Sequence, residues 1–135
     1  MRLGLVLDYA DDVASAVPLV REAERVGVDV VTVAEAYSFD AVSRLGYLAA
    51  VTERVGLASA VLNVFSRTPA LLAMTAAGLD DLAGGRFEFG LGASGPQVVE
   101  GFHGVPFALP LARVRETVEL CRAVWRREPA VLDGR

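Results

Sequence analysis

Short apolar runs alternate with segments of helical periodicity along the chain, and this alternation limits the folds that it can adopt. Four apolar runs predict β-strands, and they cover residues 3–7, 28–34, 57–62 and 86–91. Apolar residues at helical spacing follow each run. Strands that alternate with helices in this way predict a parallel α/β sheet with right-handed crossovers. The first run, residues 3–7, is apolar throughout, which is typical of a parallel strand that is covered on both faces.

This order of elements fits two α/β architectures. Four βα units could make an open, doubly wound sheet. They could also be the N-terminal half of an eight-stranded (β/α)8 barrel, which needs about 250 residues. The chain has 135 residues, enough for one domain. Length and periodicity alone do not choose between the two architectures.

Capping residues mark where the predicted helices begin. Thr68 followed by Pro69 predicts the N-cap and the first position of the third helix, which runs to about residue 82. The candidate N-caps of the first two helices come in pairs: Asp11 or Asp12, and Ser38 or Asp40. A glycine-rich loop is predicted over residues 92–107 and a last helix over residues 111–126.

The composition excludes several classes of protein. Apolar residues make up 53% of the chain, so it is not disordered, and a net charge of −4 argues against binding to nucleic acid. The one cysteine, Cys121, excludes a disulfide framework and a multi-cysteine metal site, and its apolar surroundings predict a buried thiol. No apolar run reaches the roughly 18 residues of a membrane span. We therefore expect a cytoplasmic protein that acts on a small molecule, away from membranes.

Candidate functional residues lie at the carboxyl ends of the predicted strands, where both architectures bind ligands. Glu35 follows the second strand, and Asn63, Ser66 and Arg67 follow the third. Ser66 and Arg67 could hold a phosphate or a carboxylate, or lie in a solvated loop. Glu35 could serve a ligand, or it could make a hydrogen bond at a helix start.

The glycine-rich loop and the single histidine have open interpretations. Gly92, Ser94 and Gly95 could cradle an anion or a polar ring edge with backbone N–H groups, or they could form a flexible turn. The spacing G-x-G-x-x-G occurs here after the fourth strand, whereas a dinucleotide fingerprint follows the first. One histidine, His103, cannot build a multi-histidine zinc site, and a structural or surface role is favoured over acid–base catalysis.

Four segments together resemble the luciferase-like flavin and deazaflavin oxidoreductases. The likeness is strongest to the branch that uses the 8-hydroxy-5-deazaflavin coenzyme F420. The segments cover residues 34–37 (AEAY), 60–70 (AVLNVFSRTPA), 82–87 (LAGGRF) and 90–104 (GLGASGPQVVEGFHG). The resemblance as a whole covers nearly the whole chain, which corresponds to the N-terminal portion of a typical family member.

The resemblance implies half of a (β/α)8 barrel that binds F420 at its mouth and transfers hydride to or from C5 of the deazaflavin. It implies a non-prolyl cis peptide at Ala60–Val61, behind the ring. It also implies that Glu35, Asn63, Ser94 and Gly95 contact the cofactor.

The chain departs from the family's sugar-phosphate dehydrogenases at two positions. Ala36 stands where those enzymes place a catalytic histidine, and Gly95–Pro96 stand where they place an acid. That substrate class is therefore disfavoured, and no catalytic residue is assigned.

Three alternatives to an F420-dependent oxidoreductase stay open. One is an FMN-dependent luciferase-like monooxygenase, and another is a flavodoxin-like open sheet that binds ordinary flavin. The third is a half-barrel that has no activity alone and assembles with a partner or a second copy. Four parallel strands leave unpaired edges and an exposed apolar face, so we expect a homo-oligomer.

Overall fold

The structure is a computed structural model that describes residues 1–10 and 12–131. The order of elements confirms the predicted α/β alternation. The elements are β1 Gly4–Leu7, α1 Val13–Arg25, β2 Val30–Val33, α2 Ala41–Val51, β3 Gly56–Ser59, β4 Leu62–Asn63, α3 Pro69–Leu82, β5 Phe87–Glu88, β6 Leu91–Gly92, a π-helix Gln97–Phe102 and α4 Pro110–Trp125.

All strand pairs in the described part of the chain are parallel. Strands β1, β2, β3 and β5 form one sheet in that order, and β4 pairs with β6 in a second, two-stranded sheet. In the larger sheet, Val6 pairs with Thr32, Thr32 with Ala58, and Ala58 with Glu88. The strand order follows the chain order, as expected when each crossover adds the next strand at the same edge.

The helices begin where capping side chains satisfy their first backbone N–H groups. Asp12 accepts from the N–H of Ala14, and Asp40 accepts from that of Ser43, so Asp40 and not Ser38 starts α2. The alternative Asp11 lies outside the described residues. Thr68 caps α3 with Pro69 next, as predicted.

The hydrophobic core lies between the sheet and the helices, on one side of the sheet. Leu7, Val31 and Leu57 point into this core and are almost fully buried. Val6 points the other way and is 70% exposed. The prediction that β1 is covered on both faces is therefore wrong, because all the packed helices contact the opposite face. Among the described helices, none combines the length and apolarity needed to cross a bilayer.

The third and fourth strands are each interrupted, although both were predicted to be continuous. The third strand consists of β3 and β4, and between them the Ala60–Val61 peptide is cis, as the resemblance implied. The fourth consists of β5 and β6. The Ser59 hydroxyl bridges the two breaks, since it accepts from the N–H of Gly90 and donates to the Gly90 carbonyl, both at 2.9 Å.

The two interrupted strands approach each other closely at glycines. A Cβ atom added at Gly90 would collide with the carbonyl oxygen of Ser59, and one added at Gly92 would lie 2.7 Å from Cγ2 of Val61. A side chain at either position would therefore push the third strand away from the fourth.

Helix α4 packs on α3 through two side chains near its C-terminal end. The Trp125 indole N–H donates to the Ala73 carbonyl at 3.0 Å, and the Cys121 thiol donates to the Pro69 carbonyl. Cys121 is buried, as predicted, and burial raises the pKa of its thiol. The cysteine is therefore a packing residue.

The close approach at Gly90 predicts a specific stability effect. Gly90→Ala should lower the free energy of unfolding by about 1–3 kcal/mol, because the added methyl overpacks against a backbone carbonyl. Gly78→Ala is the matched control, since a Cβ there, in α3, meets no atom within 4 Å. It should stabilise the protein by about 0.5–1 kcal/mol. Urea unfolding measures both effects. An unchanged free energy of unfolding in Gly90→Ala would contradict the close contact between Gly90 and the Ser59 carbonyl.

Candidate functional site

The candidate residues gather at the carboxyl edge of the parallel strands. Glu35 lies two residues beyond β2, Asn63 ends β4, and Ser94 lies two residues beyond β6. Parallel strands end at the same side of a sheet, so three consecutive strands deliver polar groups to one place. We call this edge the mouth.

Glu35 forms a buried ion pair with Arg67. The Arg67 Nη1 and Nη2 atoms donate to Oε1 and Oε2 of Glu35 at 2.6 and 2.8 Å. Oε2 also accepts from the N–H of Ala41, the first residue of α2. The side chains are 9% and 15% exposed. Glu35 therefore ties the third strand's loop to the start of α2, and its predicted contact with a cofactor stays a prediction.

The ion pair further stabilises the charged form of Arg67. Its hydrogen bonds to Glu35 raise the pKa of the guanidinium, and the nearby Asp40 carboxylate adds to the effect. The raised pKa keeps the Arg67 guanidinium charged, and the Glu35 carboxyl group lies directly against it. Sequence reasoning proposed that Arg67 holds a phosphate or carboxylate, and the carboxylate that it holds here is Glu35.

Asn63 has one satisfied and one unsatisfied polar atom. Its Oδ1 accepts from the Phe65 N–H at 2.9 Å, while its Nδ2 is buried and has no hydrogen-bond partner in the described part of the chain. The side chain is 3% exposed as a whole. An unpaired buried amide donor costs roughly 1–3 kcal/mol. A ligand acceptor that reaches Nδ2 would recover that free energy.

An exposed apolar surface lies next to Asn63. Ala60 and Val61 sit at the break in the third strand, and both are exposed to solvent. Val61 covers Gly92, whose missing side chain leaves room for it. Aliphatic surface beside an unsatisfied amide suits a planar ring with polar edges.

The glycine-rich loop contains a π-helix, which the sequence analysis did not predict. Ser94 has a positive φ of 57°, and the Gly95 carbonyl accepts from the N–H groups of Val98 and Val99. Val99 is fully buried and anchors the π-helix. Ser94 and Gly95 therefore form the turn that leads from β6 into the π-helix, and their predicted contact with a cofactor stays a prediction.

Sequence reasoning missed a row of aromatic rings along the mouth. Tyr9 contacts Tyr37, Tyr37 contacts Phe102, and Phe102 contacts His103, with centroid distances of 6.5, 5.9 and 5.1 Å. The signal was present, since Tyr9 and Tyr37 lie two and three residues beyond the ends of predicted strands. Their exposure provides apolar surface for a ligand.

A cavity of about 420 Å³ lies between this row and the ion pair. Its walls include Ala36, Phe39, Leu71 and His103, with Glu35 and Arg67 at one side. His103 is half-buried and is the C-cap of the π-helix, and its predicted structural or surface role stays a prediction. Across residues 1–10 and 12–131, no three side chains of His, Cys, Asp or Glu could hold a metal ion.

The buried position of the ion pair predicts a large cost for breaking it. Arg67→Met should lower the free energy of unfolding by about 3 kcal/mol, because the Glu35 carboxylate stays buried without its partner. Arg126→Met is the matched control, since Arg126 pairs with Glu128 at the surface, where the side chains are 58% and 50% exposed. It should cost less than about 1 kcal/mol. Equal losses in urea unfolding would contradict the buried pair.

Comparisons with known proteins relate the chain to enzymes of one fold. The family model described as luciferase-like monooxygenase matches residues 2–135. A Mycobacterium tuberculosis protein that bears the name of a coenzyme F420-dependent oxidoreductase is 47% identical over 136 residues, which cover 99% of this chain and 39% of that protein. The chain thus spans about two-fifths of the length of this relative.

Two solved structures share the fold. The coenzyme F420-dependent tetrahydromethanopterin reductase from Methanopyrus kandleri superposes with a TM-score of 0.87 at 23% identity, covering 98% of this chain and 42% of that one. The oxygenating constituent of 3,6-diketocamphane monooxygenase from Pseudomonas putida, in complex with FMN, gives 0.86 at 23% identity, covering 100% and 42%. The structure is therefore part of a TIM barrel, as predicted, and the chain belongs to the luciferase-like monooxygenase family.

Proposed function

We propose that this chain supplies the cofactor side of an oxidoreductase that depends on coenzyme F420. The observation that carries the proposal is the buried, unpartnered Nδ2 of Asn63 beside the exposed Ala60–Val61 surface. The name of the 47% identical relative favours F420 over FMN. The substrate would be a small organic hydride donor or acceptor.

The bound deazaflavin would supply a two-electron hydride carrier at C5. Ala60 and Val61 would support the apolar face of its ring, and the Asn63 amide would donate a hydrogen bond to a carbonyl on the polar edge. Ser94 and Gly95 would offer backbone groups at the start of the π-helix. These contacts fix the ring's orientation, which is the main contribution of a protein to hydride transfer.

The Glu35–Arg67 pair would act as a positioning element. It joins the loop after the third strand to the start of α2, and both of its side chains line the cavity. Since its two charges cancel each other, Arg67 is not left free to attract an anionic substrate. This agrees with the departure from the sugar-phosphate dehydrogenases at Ala36.

Binding measurements with two cofactors test this proposal. The 135-residue chain should bind F420 more tightly than FMN, as followed by cofactor fluorescence. Asn63→Asp should weaken F420 binding at least about tenfold, because the acid keeps the acceptor for the Phe65 N–H and loses the donor.

Arg54→Gln is the control for charge. This substitution changes the net charge by −1, as Asn63→Asp does. Arg54 lies just before β3, at the end of the sheet opposite the mouth, so F420 binding should not change. Binding of FMN alone would contradict the cofactor assignment and favour an FMN-dependent monooxygenase. An unchanged affinity in Asn63→Asp would contradict the role of its amide.

A further inference from the structure

The cavity of about 420 Å³ beside the Glu35–Arg67 pair is built by three segments of the chain. Residues 35–40 follow β2, residues 66–71 follow β4, and residues 102–103 end the π-helix that follows β6. The cavity therefore lies at the mouth. Its volume falls within the roughly 300–1,000 Å³ that is usual for small-molecule pockets.

Large apolar side chains line this cavity and stay accessible to solvent. Phe39, Leu71 and Phe102 are each about half exposed. Tyr37 is exposed to a similar extent, and its ring contacts that of Phe102 edge to face at 5.9 Å. Single exposed apolar side chains are common, whereas several around one cavity mark a ligand site. Aromatic rings favour a flat ligand, because stacked and edge-to-face contacts both stabilise a further ring.

The charged groups in the cavity walls are already held by other groups of the chain. Arg67 donates two hydrogen bonds to the Glu35 carboxyl group, at 2.6 and 2.8 Å. The Asp40 carboxyl group accepts from the backbone N–H and the hydroxyl of Ser43, at 3.0 and 2.7 Å. A charged ligand would lose hydration in this cavity without gaining a counter-charge. The walls therefore favour an uncharged ligand.

His103 contributes a polar side chain that the fold does not use. Its ring contacts the ring of Phe102 at 5.1 Å, and within residues 1–10 and 12–131 its imidazole forms no hydrogen bond. A neutral imidazole has one N–H donor and one acceptor nitrogen. His103 can therefore form a hydrogen bond with the polar group of a ligand whose apolar part contacts Phe39 and Phe102.

One loop joins this cavity to the surface that we assign to the cofactor. Ser66 lines the cavity, and its hydroxyl donates to the Asn63 carbonyl at 3.1 Å. The Asn63 side chain carries the unpartnered Nδ2 atom. A ligand in the cavity would therefore lie beside a ring that is bound at Asn63, and hydride transfer requires such a side-by-side arrangement.

We propose that the cavity holds the organic substrate, and that this substrate is an uncharged molecule with a flat apolar body and a polar group that forms a hydrogen bond with His103. Phe39 and Phe102 would contact the flat body. His103 would then bind substrate directly, in place of the structural or surface role that the sequence favours. This inference rests on the proposed function, because it names the substrate class of the same site.

Acetophenone, an uncharged aromatic ketone, is the probe for the first test, and nuclear magnetic resonance follows its binding. The chain has one histidine, so the imidazole gives a single set of ring signals. Acetophenone should shift these signals and bind at least about tenfold more tightly than benzoate or benzylammonium, which have a similar shape and carry a charge. Unmoved His103 signals, or tighter binding of either charged probe, would overturn the inference.

Ethylbenzene separates the hydrogen bond from a structural role, because it has the ring and lacks the carbonyl. His103→Phe should weaken acetophenone binding about threefold to tenfold, the effect of one hydrogen bond, and should not weaken ethylbenzene binding. Equal weakening of both probes would overturn the role of His103. Phe39→Ala should weaken both probes. Leu111→Ala is its control, since Leu111 is an exposed apolar residue of α4 outside the cavity, and it should weaken neither.

A titration in the presence of F420 distinguishes this inference from the proposed function. Acetophenone should bind the F420-saturated chain at least as tightly as the free chain, because substrate and cofactor must occupy the mouth together. Displacement of acetophenone by F420 would overturn the substrate assignment and leave the cofactor assignment standing. If acetophenone shifts the His103 signals and F420 does not bind, the proposed function is wrong and the cavity keeps its ligand class.

Discussion

The close approach of the third strand to the fourth organises the mouth of this half-barrel. Gly90 and Gly92 have no side chains, so the backbone from Ser59 to Val61 lies directly on them. The break in one strand is matched by a break in the other, and the Ser59 hydroxyl bridges both. This contact exposes Ala60 and Val61 and sets the position of Asn63. The surface assigned to the cofactor therefore depends on glycine at positions 90 and 92.

Local chemistry in the sequence predicted the elements well and their interruptions poorly. Thr68 and Pro69 predict the start of α3 because a helix cap is formed by residues that are close in the sequence. Ala60 and Val61 read as ordinary strand residues, since the close contact that ends β3 comes from residues 30 positions later. The partner of Glu35 was equally hidden, because Arg67 lies 32 residues away and reaches it through the crossover. Contacts between distant segments carry no local signal.

The same limitation applies to the prediction that the first strand is covered on both faces. An apolar run indicates burial without saying what provides it. Helices cover one face here, and the concave face is left with Val6 exposed and with Arg2 and Glu88 meeting across it. The mouth lies at the carboxyl ends of these same strands.

The side-chain amides offer the most direct test that this mouth holds a deazaflavin. The chain has one asparagine and one glutamine, so its nitrogen–proton correlation spectrum contains only two side-chain NH₂ pairs. On titration with F420, the Asn63 pair should move downfield as its buried donor gains an acceptor, together with the backbone signals of Val61, Gly92 and Ser94. Shifts confined to the groove that Phe89, Val118 and Trp125 line, with the Asn63 pair unmoved, would contradict the account.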